Sequence, residues 1–186
     1  MLKRRNHILD AAIAVTGEGG ARALTHRAVD ARAGLAMGST SNLFRSRSDL
    51  LVGMVERFVE REQIAWHEVV EPVRPRSPET LARALADLMV HQATTDRAVT
   101  LTRHAILIEA ATTPAVRAAL SRGGSDVMTR AVALLRDAGS PAPEADAATL
   151  AHWVTSTTLH ELANPAPTFH PHAPLAALVR RLIPEE

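Results

Sequence analysis

The sequence contains no cysteine and no tyrosine, and only 3% of its 186 residues are aromatic. Without cysteine the chain cannot form disulfides, bind a metal through thiolates or use a thiol nucleophile. Few aromatic residues, and no segment with clean apolar–polar alternation, argue against β-strands. The 46% of hydrophobic residues is enough for a folded core, so we expect an all-α protein.

Long apolar runs are also missing. No stretch approaches the roughly 20 apolar residues that cross a bilayer. The basic start at Lys3–Arg5, followed by apolar residues, superficially resembles a secretory signal. Asp10 interrupts that run, however, and Ile8, Ala11 and Val15 recur at helical spacing. We therefore expect an amphipathic helix in a cytoplasmic protein with no membrane partner.

Catalytic and metal-binding motifs are absent as well. The chain has neither a Gly-rich phosphate loop nor a GxSxG nucleophile elbow. His160 and Glu161 begin like the zinc motif HExxH, but Asn164 stands where the second histidine is required. His170 and His172 lie in a proline-rich loop in which their ring directions diverge. We predict no catalytic residue, no metal site and no cofactor, so the protein is not expected to be an enzyme.

Helical periodicity, in contrast, is nearly continuous. Three helices, two of them short, crowd into the first 45 residues, and a long helix then begins after Ser46 with a capping-box pattern completed by Asp49. The Gly123–Gly124 pair weakens the prediction of one unbroken helix there. We expect a head at 1–46 and a body at 47–186. The predicted helices cover about 3–17, 26–33, 38–44, 47–70, 78–94, 97–111, 114–138, 144–163 and 173–183.

Charge is distributed unevenly, although the net charge is only +1. Residues 1–50 contain eight Lys and Arg residues against four acidic residues, and the remainder of the chain is slightly acidic. A basic end on an acidic body is expected when that end faces the phosphates of a nucleic acid. An accidental imbalance of surface charge is the alternative.

The first 50 residues also have the spacing of a helix-turn-helix, in which the second helix enters the major groove of DNA. Gly34 would supply the positive φ of the turn. Leu24, Val29 and Ala33 would form a small core, together with Leu35. Either Leu43 or Phe44 would seal it.

At these positions the sequence resembles the DNA-binding head of the tetracycline-repressor (TetR) family of transcriptional regulators. The resemblance covers about residues 5–52 and rests on four segments: 24–29 (LTHRAV), 33–36 (AGLA), 38–39 (GS) and 44–51 (FRSRSDLL). It implies a three-helix helix-turn-helix head and a helical C-terminal body for ligand binding and dimerisation. One departure affects base recognition. Ser41, Asn42 and Leu43 stand where the family usually has a tyrosine and often a second aromatic residue.

Positions carried over from the family give a candidate DNA surface. Arg27 would contact a base or a phosphate, and Thr25 and Arg47 would contact phosphates. Ser41 and Asn42 would offer hydrogen bonds to bases. The alternative is that the arginines are merely solvated and the hydroxyls merely cap helices. The candidate residues are Thr25, His26, Arg27, Met37, Gly38, Ser39, Thr40, Ser41, Asn42, Arg45 and Arg47.

In the body, polar residues on apolar helix faces, with tryptophan and methionine nearby, suggest a pocket for a small-molecule effector. The candidates are Trp66, Met89, His91, Arg103, His104 and Trp153. The alternative is that they only fill the core. The resemblance also implies a homodimer through the last two helices, with candidates Leu159, Leu175, Leu178 and Leu182. Such a dimer would read a palindromic operator in double-stranded DNA with half-sites about 34–36 Å apart.

The leading hypothesis is therefore a bacterial repressor that a small ligand releases from its operator. The Ala- and Arg-rich composition, with Lys3 as the only lysine, suggests the bacterial source. Two alternatives stay open: a regulator of this type without a small-molecule effector, and a helical module that has lost DNA readout. Salt-dependent binding to a palindromic DNA fragment would separate the last alternative from the other two hypotheses. Loss of that binding on addition of a ligand would separate the leading hypothesis from a regulator without an effector.

Overall fold

The computed structural model describes residues 2–73 and 75–184, apart from the side chain of Ser125. This part of the chain is all-α, as expected, and contains no strand. Two short 3-10 helices, Ala21–Ala23 and Glu71–Val73, were not predicted. The α-helices are α1 (Leu2–Gly19), α2 (His26–Arg32), α3 (Ser39–Leu43), α4 (Arg47–Val69), α5 (Pro78–Ala93), α6 (Arg97–Thr112), α7 (Pro114–Asp137), α8 (Pro143–Ala163) and α9 (His172–Leu182).

Local capping explains where several of these helices begin. The Ser46 hydroxyl accepts the backbone N–H of Asp49 at 3.0 Å, and the Asp49 carboxylate accepts the backbone N–H of Ser46 at 3.0 Å. This capping box confirms the predicted start of α4. At α5, Ser77 caps the helix through the backbone N–H of Thr80 at 3.3 Å, and proline occupies the first turn.

The chain divides into two compact units. Unit 1 consists of Met1–Arg61 and Arg97–Gly123, and unit 2 of Glu62–Asp96 and Gly124–Glu186. Both α4 and α7 contribute residues to each unit. This division differs from the one expected at residue 46, because α6 belongs to the same unit as the head. The head/body boundary at 46 therefore stays a functional prediction.

Unit 1 has its core among α1, α2, α4, α6 and the start of α7. The Thr102 hydroxyl of α6 donates to the backbone carbonyl of Ile13 in α1 at 2.8 Å. At Gly17 of α1 a Cβ atom would overlap the backbone of Ala98, so glycine permits this close approach of α1 and α6. Arg57 of α4 donates two hydrogen bonds to the Asp10 carboxylate, at 2.8 and 3.0 Å. The residue that interrupts the N-terminal apolar run thus ties α1 to α4.

The Gly123–Gly124 pair does not break α7, which is continuous from Pro114 to Asp137. A Cβ atom on Gly123 would overlap the Val59 side chain of α4, whereas one on Gly124 would meet nothing within 4 Å. Gly123 therefore provides close helix packing in unit 1.

Unit 2 has its core among α5, α8, α9 and the parts of α4 and α7 that belong to it. Apart from alanines, the apolar side chains of this core that are at most 4% exposed are Val70, Leu81, Met89, Leu135, Leu150, Leu175, Val179 and Ile183.

Candidate nucleic-acid interface

The chain between α2 and α3 makes a tight turn with two glycines in left-handed conformations, Gly34 at φ 63° and Gly38 at φ 90°. Leu24 and Val29 are fully buried beneath it. Phe44 is also buried and seals this core, whereas Leu43 is 47% exposed. The structure thus decides between the two candidate sealing residues, and it gives the helix-turn-helix arrangement that the spacing predicted.

The N-terminus of α3 is held by a buried carboxylate that the sequence did not single out. Asp30 of α2 accepts the backbone N–H groups of Gly38 and Thr40, both at 2.8 Å, and the Thr40 hydroxyl at 2.6 Å. Gly38, the N-cap residue of α3, has no side chain to make this cap itself. Asp30 therefore caps α3 from the neighbouring helix and fixes its position.

The electrostatics of this cap favour the ionised carboxylate. Burial by itself would raise the pKa of Asp30, but the hydrogen bonds from Thr40 and Gly38, with the charge of nearby His26, lower it on balance. His26 is half-buried, and its Nε2 lies 2.7 Å from the backbone carbonyl of Phe44.

Several predicted DNA-contact residues form the exposed surface around this turn. Met37 is 83% exposed. Ser41 and Asn42 on α3 are exposed, and so are Arg27 on α2 and Arg45 after α3. The Ser41 hydroxyl donates to the carbonyl of Gly38 at 3.0 Å, and its remaining lone pairs face solvent. These five side chains are therefore all accessible to solvent.

Two other predicted contacts point inward. Thr40 is fully buried and its hydroxyl is used by Asp30, and Ser39 is 7% exposed. They do not present the groove-facing surface expected from the sequence, because α3 packs this side against α2. Gly38 contributes its backbone N–H to Asp30. Ser39 accepts a hydrogen bond from the guanidinium of exposed Arg4 at 3.2 Å, which brings an overlooked basic residue to the start of α3.

Thr25 and Arg47 have structural partners. The Thr25 hydroxyl, which is exposed, caps α2 by accepting the N–H of Ala28 at 3.2 Å. Arg47 donates to the backbone carbonyls of Leu24 at 3.3 Å and Ala21 at 2.6 Å. Phosphate contact was predicted for Arg47, but here two of its nitrogens bind the 3-10 helix and the segment that joins it to α2.

The predicted effector residues divide between the two units. Arg103 and His104 belong to unit 1. Four lie in unit 2: Trp66, Met89, His91 and Trp153. Met89 is fully buried and Trp66 is 7% exposed, both within the core of unit 2. Trp153 packs against that core, and His91 Nε2 lies 3.3 Å from Asp96 Oδ2. In unit 2 the core-filling alternative therefore accounts for Trp66 and Met89.

His104 is different, because its Nε2 is buried without a hydrogen-bond partner. Within the described chain, Thr158 Oγ1 on α8 is the other side-chain atom in this state. Burial, and then the charge of Arg103, lower the pKa of the His104 imidazole. A buried polar atom without a partner is uncommon and requires an explanation.

Of the four predicted dimer contacts, Leu175 is fully buried in the core of unit 2 and so cannot contact a second copy. Leu159 is 43% exposed. Leu178 and Leu182 on α9 are half-buried and one helical turn apart. These three leave an apolar surface on α8 and α9.

Across the described residues, no group of three or more His, Asp or Glu side chains is placed to hold a metal ion. In that same part of the chain, none of the helices is long and apolar enough to span a membrane.

Residues 76–185 match the family model described as the tetracyclin repressor-like, C-terminal domain. No curated protein sequence matches the chain significantly.

Solved structures share the whole fold. A transcriptional regulator from Rhodococcus is 23% identical over 96% of this chain and 95% of its own, with a TM-score of 0.80. A TetR-family member from Streptomyces coelicolor is 25% identical over 98% of this chain and 99% of its own, with a TM-score of 0.74. The multidrug binding protein EbrR, in complex with malachite green, is 27% identical over 98% of this chain and 99% of its own, with a TM-score of 0.70. This chain belongs to the TetR family of transcriptional regulators.

Proposed function

We propose that this protein is a transcriptional repressor that binds a palindromic operator as a homodimer and is released by a small-molecule ligand. The observation that carries the DNA-binding part is the exposed surface of Arg27, Met37, Ser41, Asn42 and Arg45, built on the turn that Asp30 fixes.

The chemistry of this surface suits major-groove recognition. The amide of Asn42 suits bidentate pairing with adenine, and Ser41 suits a base or a phosphate. The exposed guanidinium groups of Arg27 and Arg45 suit phosphates or guanine. Arg4 of α1, whose guanidinium donates to Ser39 at the start of α3, adds a further cation. Because Ser41 and Asn42 are short, we expect the head to approach the bases more closely than a head that carries tyrosine here.

Dimerisation would use the apolar surface of α8 and α9. Leu159, Leu178 and Leu182 remain at least partly exposed in one copy of the chain. A two-fold contact through them would place two heads on one palindrome. Leu178→Glu would put an unpaired charge in that contact and cost several kcal/mol. We expect a dimer for the wild type and a monomer for Leu178→Glu in sedimentation, with Leu107→Glu on α6 as an exposed control.

We propose that the effector contacts the side chain of His104. EbrR is a multidrug binding protein with structures that hold imidazole and malachite green. In this chain His104 carries a buried nitrogen without a partner, and the lowered pKa keeps its ring neutral near pH 7. A neutral imidazole offers one donor or one acceptor to a ligand without the cost of a buried charge.

A selection experiment tests the DNA-binding part. The 186-residue protein would be used to select DNA duplexes from a random pool. The most enriched duplex would then be titrated with the protein at several salt concentrations. We expect a palindrome whose affinity falls steeply with salt. Asn42→Ala should relax the base preference, whereas Ser48→Ala, on an exposed position of α4, should not. Enrichment of no palindrome would favour a helical module without DNA readout.

A second measurement tests the release step. Malachite green would be added as a probe to the protein bound to the selected duplex. We expect it to lower DNA affinity in the wild type, and to do so less in His104→Ala. Binding of malachite green without any change in DNA affinity would contradict release by this ligand. Operator binding that no tested ligand alters would favour a regulator without a small-molecule effector.

A further inference from the structure

A cleft lies in unit 2 where α5 packs against α9. It has a volume of about 210 Å³. Its lining consists of Pro78, Glu79, Ala82 and Arg83 from α5 and His172, Ala176 and Arg180 from α9. None of these residues was predicted to bind a ligand, and none is among the buried polar groups described above.

Small side chains create the cleft. Ala82 and Ala176 form part of its floor where the two helices approach. Ala82 is 2% exposed and Ala176 is half-buried against the core of unit 2. Because an alanine side chain extends no further than Cβ, the longer residues around it stand above the floor. The cleft therefore has an apolar base and a polar rim.

The rim carries two cations from different helices. Arg83 on α5 and Arg180 on α9 are both exposed. Within residues 2–73 and 75–184, neither has a hydrogen-bond or ion-pair partner. Asp87, one turn after Arg83, is used instead by His172, whose Nε2 lies 2.9 Å from its Oδ1. Glu79 is the one carboxylate of the lining, and it too has a partner. Beside the apolar floor there are thus two guanidinium groups that make no hydrogen bond or ion pair within the described residues.

We propose that this cleft binds a small organic anion, a carboxylate attached to a single flat apolar ring. The guanidinium groups of Arg83 and Arg180 would hold the carboxylate through charge-assisted hydrogen bonds, for which arginine has the right geometry. The ring would cover Ala82 and Ala176. Sites for drug-sized ligands have volumes of roughly 300–1,000 Å³, so this smaller cleft suits a one-ring ligand.

The site is compatible with the proposed dimer contact. His172, Ala176 and Arg180 follow one another at intervals of four residues, so they share one stripe of α9. At about 100° per residue, Leu178 lies roughly 200° around the helix from Ala176. The cleft and the proposed dimer surface are therefore on opposite faces of α9, and the anion site does not depend on the proposed regulation.

Ligand-observed ¹⁹F NMR tests the proposal, with 4-fluorobenzoate as the probe and the full-length protein. We expect saturable binding, and weak or no binding of the neutral 4-fluorobenzamide. The double variant Arg83→Gln/Arg180→Gln should bind 4-fluorobenzoate at least about tenfold more weakly, because both charged donors are gone. Arg181→Gln, which removes the neighbouring exposed cation of α9, is the matched control and should bind like the wild type.

A second variant tests the floor. Ala176→Leu keeps both arginines and fills the cleft, so it should also lose 4-fluorobenzoate, while thermal unfolding reports whether the variant remains folded. Equal binding by the double variant and the wild type would overturn the proposal. So would equal loss in Arg181→Gln, or inorganic phosphate competing as well as benzoate, since the last result would mean a charge site without use of the apolar floor. Absence of 4-fluorobenzoate binding would also overturn it.

Discussion

Asp30 and Thr40 join the two helices of the helix-turn-helix through one carboxylate oxygen. Asp30 Oδ1 accepts both the backbone N–H of Thr40, at 2.8 Å, and its hydroxyl, at 2.6 Å. Both residues are almost fully buried, at 3% and 0% exposure. The orientation of α3 therefore depends on a contact that no DNA would touch.

Asp30→Ala should destabilise the protein and weaken DNA binding together. It leaves the Thr40 hydroxyl and the N–H groups of Gly38 and Thr40 without their acceptor, and each such loss costs about 1–3 kcal/mol. Urea unfolding would measure the free energy of unfolding, and a duplex titration would measure affinity. Asp49→Ala, which removes an exposed cap of α4, should cost only about 1 kcal/mol and serves as the control. If Asp30→Ala were no less stable than Asp49→Ala, the role assigned to this carboxylate would be wrong.

Arg47→Ala should affect the stability of the folded protein more than its contacts with DNA phosphates. The guanidinium donates to the carbonyls of Ala21 and Leu24, and a hydrogen bond from a charged group contributes about 1.5–3 kcal/mol. Arg45→Ala removes an exposed cation of the same region and should lower DNA affinity with unfolding unchanged within about 0.5 kcal/mol. Unfolding curves and salt-dependent titrations of both variants would separate the two roles. Equal stability of the two variants would contradict the structural role of Arg47.

Alanine substitutions at Gly123 and at Gly124 should change the stability of the protein in opposite directions. Gly123→Ala places a methyl group against Val59, and such overpacking costs about 1–3 kcal/mol. Gly124→Ala meets open space and should stabilise α7 by up to about 1 kcal/mol, because alanine favours helix more than glycine does. Thermal unfolding of the two variants gives the sign directly. A stabilised Gly123→Ala protein would show that α4 and α7 are not in close contact there.

Because of His104, the free energy of unfolding should fall as the pH is lowered through the range in which an ordinary histidine titrates. Its pKa is lowered in the folded protein, so the unfolded chain takes up the proton first. The stability contribution is complete above about pH 6.5 and is lost as the pH falls towards the folded-state pKa. We expect the wild type to lose more stability than His104→Gln between about pH 7.5 and 5, when urea unfolding is measured across that range. His160→Gln, at an exposed position, should follow the wild type, and parallel pH profiles for all three proteins would contradict the prediction.

The α-helices of this protein and their order could be predicted from local sequence signals. Helix boundaries depend on local signals, such as the Ser46–Asp49 capping box and the prolines that begin α5 and α8, and these act within a few residues. The turn glycine predicted at position 34 was an equally local signal, because the left-handed backbone conformation of one residue favours glycine. The family resemblance rested on this same local spacing.

Which side chains of those helices are exposed and which are buried depends on the packing of the folded chain. Periodicity places Thr40 and Asn42 on different faces of α3, but only the packing of α3 onto Asp30 shows that Thr40 is the inner one. Arg47 reaches a carbonyl 26 residues earlier in the chain, a distance at which spacing carries no information. The predicted effector residues were grouped by type, yet Met89 fills a core and His104 has a buried nitrogen without a partner. Burial and hydrogen bonding are set by neighbours distant in sequence, and those neighbours are known only once the chain is folded.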